Sequence, residues 1–150
     1  MDNIDRKLLN LVQHDASRTN LELADEVGLS PSSCLRRMQR LRKTGIIDRI
    51  VAILNPRKSG RDIKAIITLN LKLHDEKHMQ AFINRMTKEV AVTGVYAVTG
   101  ETDVVLMLRF KDMTEFDELC QKFGKVESNI ARYVTMMVIR TAKEETAVAL

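Results

Sequence analysis

The sequence predicts an α+β fold in two unlike halves, on three observations. Residues 3–44 place apolar side chains at helical spacing in three short runs, each with its own start and stop residues. From residue 62 onward the pattern changes to runs in the order βαββαβ. Between the halves, from Arg36 to Arg61, nine basic side chains face one acid, Asp48. The first half reads as a winged helix-turn-helix and the second as a ferredoxin-like domain.

The first helix, residues 3–14, lines up Ile4, Leu8, Leu11 and Val12. The second opens with Thr19-Asn20-Leu21-Glu22, where hydroxyl and carboxylate can each cap the other's free amide, and ends at Gly28. Ser30 and Pro31 restart the chain as N-cap and first helical residue. The third helix runs to about Thr44 and stops at Gly45, with Leu35, Met38 and Leu41 expected inside and Ser32, Ser33, Arg36, Arg37 and Arg40 outside. Residues 46–54 read as a small β-hairpin or wing, closed by Asn55-Pro56.

In the second half, Ile63, Ala65, Ile67, Leu69, Leu71 and Leu73 alternate as a half-buried strand, and Met79, Phe82, Ile83, Met86 and Val90 follow at helical spacing. Residues 95–99 and 102–110 form adjacent antiparallel strands divided by Gly100-Glu101. A helix capped by Asp112, with Glu115 three later, stops at Gly124, and the last strand spans about residues 131–141. Both helices should cover one sheet face. The other face, with Tyr96 or Val95, Val105, Met107 and one set from the last strand, stays apolar and open, which predicts an identical chain as partner. The expected domains are residues 1–56, a linker at 57–61, the ferredoxin-like domain at 62–141 and a tail at 142–150.

Composition bounds the function. With 45% hydrophobic and 29% charged residues the chain resembles ordinary globular proteins. Its apolar stretches fall far short of the roughly 20 residues of a membrane span, and the polar N-terminus lacks a signal peptide's pattern, so a cytoplasmic address is expected. Cys34 and Cys120, 86 positions apart, suggest reduced thiols rather than a disulfide or zinc site. His74 and His78 have metal-compatible spacing but lack further ligands. No nucleophile with its base, phosphate loop or paired-carboxylate site is visible, so an enzyme is not expected, and neither is a metal or a cofactor.

The basic helix carries the chemistry. Small hydroxyl residues Ser30, Ser32 and Ser33 permit close approach at its N-terminus, whose free amides can meet phosphate, and the guanidinium groups that follow can reach guanine edges or backbone. Together with a capped preceding helix and a short turn, this points to double-stranded DNA. The expected base or near-base contacts are Arg37 and Arg40 with Ser32 and Ser33. Arg42, Lys43, Arg49 and the linker cations are expected at phosphate, and Ser30 and Arg36 complete the interface. At Gly100-Glu101-Thr102-Asp103 glycine can let amides approach a ligand carboxylate while Glu101 or Asp103 balances an ammonium; the same residues also suit a plain tight turn.

The spaced series Asp2-Asn3-Ile4-Asp5-Arg6, Asn20-Leu21-Glu22-Leu23-Ala24, Val27-Gly28-Leu29-Ser30-Pro31-Ser32, Gly45-Ile46-Ile47, Leu54-Asn55-Pro56 and Val98-Thr99-Gly100-Glu101-Thr102-Asp103 resembles the Lrp/AsnC family of feast/famine regulators. The resemblance implies a homodimer, often a tetramer of dimers, with free amino acids bound at interfaces between dimers. It puts Thr135 beside the ligand, and Met137 joins Gly100, Glu101, Thr102, Asp103 and Thr135 in the expected effector set. The chain departs from the family pattern at Thr102, where an aromatic residue is frequent, and at Asn129, where glycine is common. The reading that follows is a sequence-specific transcription regulator modulated by an amino acid. The alternative is a weakly specific architectural DNA-binding protein without an effector.

Overall fold

Helix α1 (Asn3–His14) begins where Asp2 and Asp5 cap each other's backbone amides, satisfying N–H groups that have no partner inside the helix. Thr19 and Glu22 make the same reciprocal cap for α2 (Asn20–Val27), which ends on Gly28 in the left-handed region at φ +67°. Ser30 then accepts from the Ser33 amide, with Pro31 opening α3 (Pro31–Lys43). The three helices enclose Leu8, Leu9, Leu23, Ala24, Cys34, Met38 and Leu41. The computed structural model describes residues 1–125 and 129–150.

Two expectations for this half are corrected. Leu35 is 48% exposed, and Cys34 takes its place in the core, because Cys34, Met38 and Leu41 share one helical face whereas Leu35 stands about 100° off it. Residues 46–54 contain no strand, so the expected wing hairpin is not formed. A two-residue hairpin turn needs positive φ, and no residue beyond Gly45 in this segment supplies it. The segment instead runs on without a ladder, leaving Val51, Ile53 and Leu54 exposed.

The chain divides into two units, Met1–Ile53 with Ala142–Leu150, and Leu54–Thr141. In the first unit the tail returns to α1: the Gln13 side chain donates to the Val148 carbonyl at 2.8 Å and accepts from its amide at 2.9 Å.

The second unit is a four-stranded antiparallel sheet in the order β2-β3-β1-β4, built from β1 (Ile63–Leu71), β2 (Val92–Ala97), β3 (Val104–Phe110) and β4 (Ile130–Met137). Alternation decides the faces. Ala65, Ile67, Leu69 and Leu71 with Val104, Leu106, Leu108 and Phe110 are buried against Phe82 and Met86 of α4 (Glu76–Met86) and Leu119 and Phe123 of α5 (Met113–Lys125). Helix α5 runs through Gly124 to Lys125 rather than stopping at Gly124. Val90 lies beyond α4 and is exposed, so it does not extend that helix's apolar face. Strand β2 starts three residues before the expected Val95 and ends at Ala97, and β4 ends at Met137, short of residue 141.

The opposite sheet face carries Ile66, Thr68, Val105, Met107, Val134 and Met136, none buried, with Tyr96 at its edge. Of the alternatives Tyr96 and Val95, Tyr96 pairs with Val105 on this face and Val95 packs toward the core. Tyr96 lies so close over Gly94 that a β-carbon there would stand 2.8 Å from its ring. None of the described helices is long and apolar enough to cross a membrane.

Candidate functional site

Helix α3 sorts its residues by angle. At about 100° per residue, Cys34, Met38 and Leu41 fall within roughly 60° of one another, and Ser32, Arg36, Gln39 and Lys43 fill an equally narrow stripe diametrically opposite. Ser32, Arg36, Gln39 and Lys43 are each exposed. Arg36, Gln39, Arg42 and Lys43 make no side-chain hydrogen bond or ion pair among the described residues. The Asn20 amide donates to the Pro31 carbonyl at 2.7 Å, tying the start of α2 to the start of α3. The three serines at the tip are linked, with Ser30 Oγ 3.2 Å from Ser32 Oγ and donating to Ser33 Oγ at 3.0 Å.

Arg37 and Arg40 point elsewhere. Arg37 Nη1 donates to Asp2 Oδ2 at 2.6 Å and Asp5 Oδ1 at 2.9 Å, and Arg40 Nη2 donates to Asp5 Oδ2 at 2.6 Å. Asp5 is 1% exposed, so the two guanidinium groups meet its charge in a nearly dry setting. Burial alone would raise the Asp5 carboxyl; the Asp2 amide and the two guanidinium groups outweigh it and hold the carboxyl below its ordinary value. Asp2, accepting from the Asp5 amide and Arg37, falls from 3.8 to about 2. The Arg37 side chain is only 24% exposed, that of Arg40 55%.

The other expected phosphate contacts lie apart from this cluster. Arg42 and Lys43 are exposed at the end of α3, and Arg49 is exposed with Asp48 3.9 Å away. Of the linker cations, Arg57 is exposed beside Asp62 at 3.5 Å, whereas Arg61 donates to the Arg109 carbonyl and to Glu115 at 2.9 Å. Gln39 and Leu35 are exposed on α3 but are not among the residues the sequence points to as DNA contacts. Gln39 stands at i+3 from Arg36, a spacing that puts both on one side of a helix.

In the second unit Gly100 takes φ +116°, a conformation that favours glycine, on the turn between β2 and β3. Glu101 is exposed, and its carbonyl accepts from the Asn70 amide. Thr102 is half-buried. The Asp103 carboxylate accepts from the Leu71 amide at 2.7 Å and stands 3.3 Å from His74 Nδ1, so it already closes the end of β1. His78 pairs with Asp75 instead. Thr135 is half-buried opposite Ile67, and Met137 is exposed opposite Ala65. Strand β1 separates β4 from β3, which puts Thr135 and Met137 two strand spacings, roughly 10 Å, from the β3 side. One chain therefore does not gather the six residues of the expected effector set into one pocket.

Asn129, the departure from the family's glycine, has a structural role. Its side chain accepts from the Leu73 amide at 2.9 Å and donates to the Leu73 carbonyl at 3.2 Å, while its carbonyl accepts from the Lys72 amide at 2.8 Å. It extends the β1–β4 pairing where the ladder is irregular. Cys34 and Cys120 are not bridged, and burial raises both thiols above the ordinary value.

A helix-turn-helix whose Arg36, Arg42 and Lys43 have no side-chain partner among the described residues, coupled in one chain to an antiparallel α+β sheet domain, defines a DNA-binding transcription regulator with a separate ligand-type domain. Residues 1–42 match the AsnC-type helix-turn-helix domain and residues 64–148 the Lrp/AsnC ligand binding domain. The chain belongs to the Lrp/AsnC family. It is 37% identical over 150 residues to an uncharacterized HTH-type transcriptional regulator of Sinorhizobium fredii, covering 99% of this chain and 88% of that one. It is 32% identical to the leucine-responsive regulatory protein of Rhizobium meliloti, covering 96% and 92%. Among solved structures, an AsnC family transcriptional regulator from Agrobacterium tumefaciens superposes with TM-score 0.92 at 26% identity, covering 99% and 97%. A transcriptional regulator from Neisseria meningitidis in complex with L-Met gives TM-score 0.92 at 29% identity, covering 99% and 96%. These relatives are transcription regulators, not enzymes.

Proposed function

We propose that the protein is a cytoplasmic, sequence-specific regulator that binds double-stranded DNA as a homodimer or a tetramer of such dimers and is modulated by a free amino acid. The observation that supports the DNA reading is the exposed stripe of α3, on which Arg36, Gln39 and Lys43 have no side-chain partner among the described residues and stand with Ser32 available to a groove. In this reading Ser30, Ser33 and Arg42 border the stripe and, with Arg49, meet phosphate.

Self-association is supported by the uncovered apolar sheet face around Val105, Met107, Val134 and Met136, and by the unpaired segment ending in Ile53 and Leu54. Two-fold pairing of the sheets would set two α3 helices about 34 Å apart on successive major grooves, so operators should be palindromic. The effector reading places Gly100, Glu101, Thr102 and Asp103 of one chain against Thr135 and Met137 of another. It is supported by the ligand binding domain match and by the L-Met complex of the Neisseria relative.

An effector acts here only through its differential affinity for assembly states. The test is sedimentation and DNA affinity with each of the twenty amino acids, starting with L-methionine. A shift with at least one supports the sensor reading, and no change in assembly, thermal stability or affinity overturns it.

A further inference from the structure

We propose that α3 reads a G·C pair through Arg36 and the adjoining A·T pair through Gln39, with Leu35 against the thymine methyl, while Arg37 and Arg40 act as struts. The proposal rests on the sequence-specific reading above and names which residues do the reading. Several residues on or beside α3's outward side carry groups that can recognise DNA, and the geometry separates them.

Arg37 is the arginine least free to read a base. Freeing it would break two charge-assisted hydrogen bonds and leave Asp5, buried to 1% exposure, short of a partner. Arg40 spends one terminal amine on the same carboxylate and keeps the rest of a half-exposed guanidinium for phosphate. Arg36 and Gln39 carry no such tie and share the stripe opposite the core.

The spacing fits neighbouring base pairs. Three residues advance about 4.5 Å along a helix axis, close to the 3.4 Å rise of one base step. An arginine presents two N–H donors to guanine O6 and N7, and a glutamine amide both donates to and accepts from adenine N7 and N6. Leu35 precedes Gln39 by one helical turn, so the two lie on the same flank, and an exposed leucine there meets the methyl of the thymine paired to that adenine. This accounts for a large apolar side chain left 48% exposed among polar neighbours.

The test is selection from a randomised duplex library at fixed salt with the full chain and with Arg36→Ala, Gln39→Ala, Gln39→Glu and Arg37→Ala. The wild type should enrich a half-site holding adjacent G·C and A·T pairs. Arg36→Ala should lose discrimination at the first and Gln39→Ala at the second, each by roughly ten-fold. Gln39→Glu should exchange adenine for cytosine at that position, a change that no loss of helix stability imitates. Arg37→Ala should lower affinity with the base preferences intact. Unchanged preferences in Arg36→Ala and Gln39→Ala, altered preferences in Arg37→Ala, or a wild-type site without the adjacent pairs would each overturn the assignment and leave the regulator reading standing. A wild-type chain that enriches no sequence overturns both.

Discussion

Arg37 on the third helix reaches back to Asp5 on the first, 2.9 Å away, and the carboxylate it finds is almost sealed from water. Arg40 holds the other oxygen of the same carboxylate. The buried acid thus braces the helix offered to DNA, and it also caps its own helix through Asp2. One residue couples a local start signal to the packing of the domain.

Removing that acid should be costly. Asp5→Ala leaves Arg37 with Asp2 alone, takes the carboxylate from Arg40 and undoes a helix cap, and should lower the unfolding free energy of the N-terminal unit by about 3 kcal/mol. Arg18→Ala, which breaks an exposed pair with Glu26 at 3.3 Å, should cost no more than about 0.5 kcal/mol. Urea unfolding of the full chain, followed unit by unit, distinguishes the two.

The same carboxylates set an acid limit. Asp2 and Asp5 both titrate below their ordinary values in the fold, so each binds its proton more readily unfolded than folded. Their contribution is therefore complete above pH 3.8 and is lost as pH falls through about 2 for Asp2. Urea midpoints of wild type and Asp2→Asn should differ near neutral pH and converge across that window; a gap that persists to its lower end would contradict the assignment.

Most of this architecture is legible in the sequence because local signals agree with the fold. The Thr19–Glu22 cap, Gly28, the Ser30-Pro31 restart and the alternation from Ile63 to Leu71 place helices and strand within a residue or two. What escaped the sequence depends on partners remote in the chain. Arg37 is 32 residues from Asp5, and nothing local distinguishes it from Arg36. The wing was misread because apolar β-branched residues at 50, 51 and 53 suit a strand, yet no turn residue folds them into a hairpin. The expected effector set is spread across the unit in a way the sequence does not show, since Gly100 to Asp103 lie on the β2–β3 turn and Thr135 and Met137 on β4, with β1 between β3 and β4.

Asn129 offers a check on the second unit. Asn129→Gly removes two hydrogen bonds to the Leu73 backbone and should cost about 2 kcal/mol in that unit, leaving the first unchanged. Thermal unfolding with a probe in each unit reads the difference.

Gly94→Ala should act on association rather than on folding. The added β-carbon meets the Tyr96 ring first, which can swing aside at small cost, but the ring then leaves its place at the edge of the open sheet face. Circular dichroism should be unchanged while sedimentation shifts toward smaller species; an unaltered assembly state would remove Tyr96 from the interface.

Lys43→Ala should weaken binding to cognate and random duplexes equally and reduce the salt slope by about one unit, as loss of a single phosphate contact requires. A selective loss on cognate DNA would instead make Lys43 a base reader.

Footprinting the full chain on a selected duplex tests the central claim most directly. A regulator whose paired α3 helices read bases should protect a discrete two-fold symmetric site, with its two protected major grooves about 34 Å apart. A continuous, unphased coat that spreads with protein concentration would contradict it.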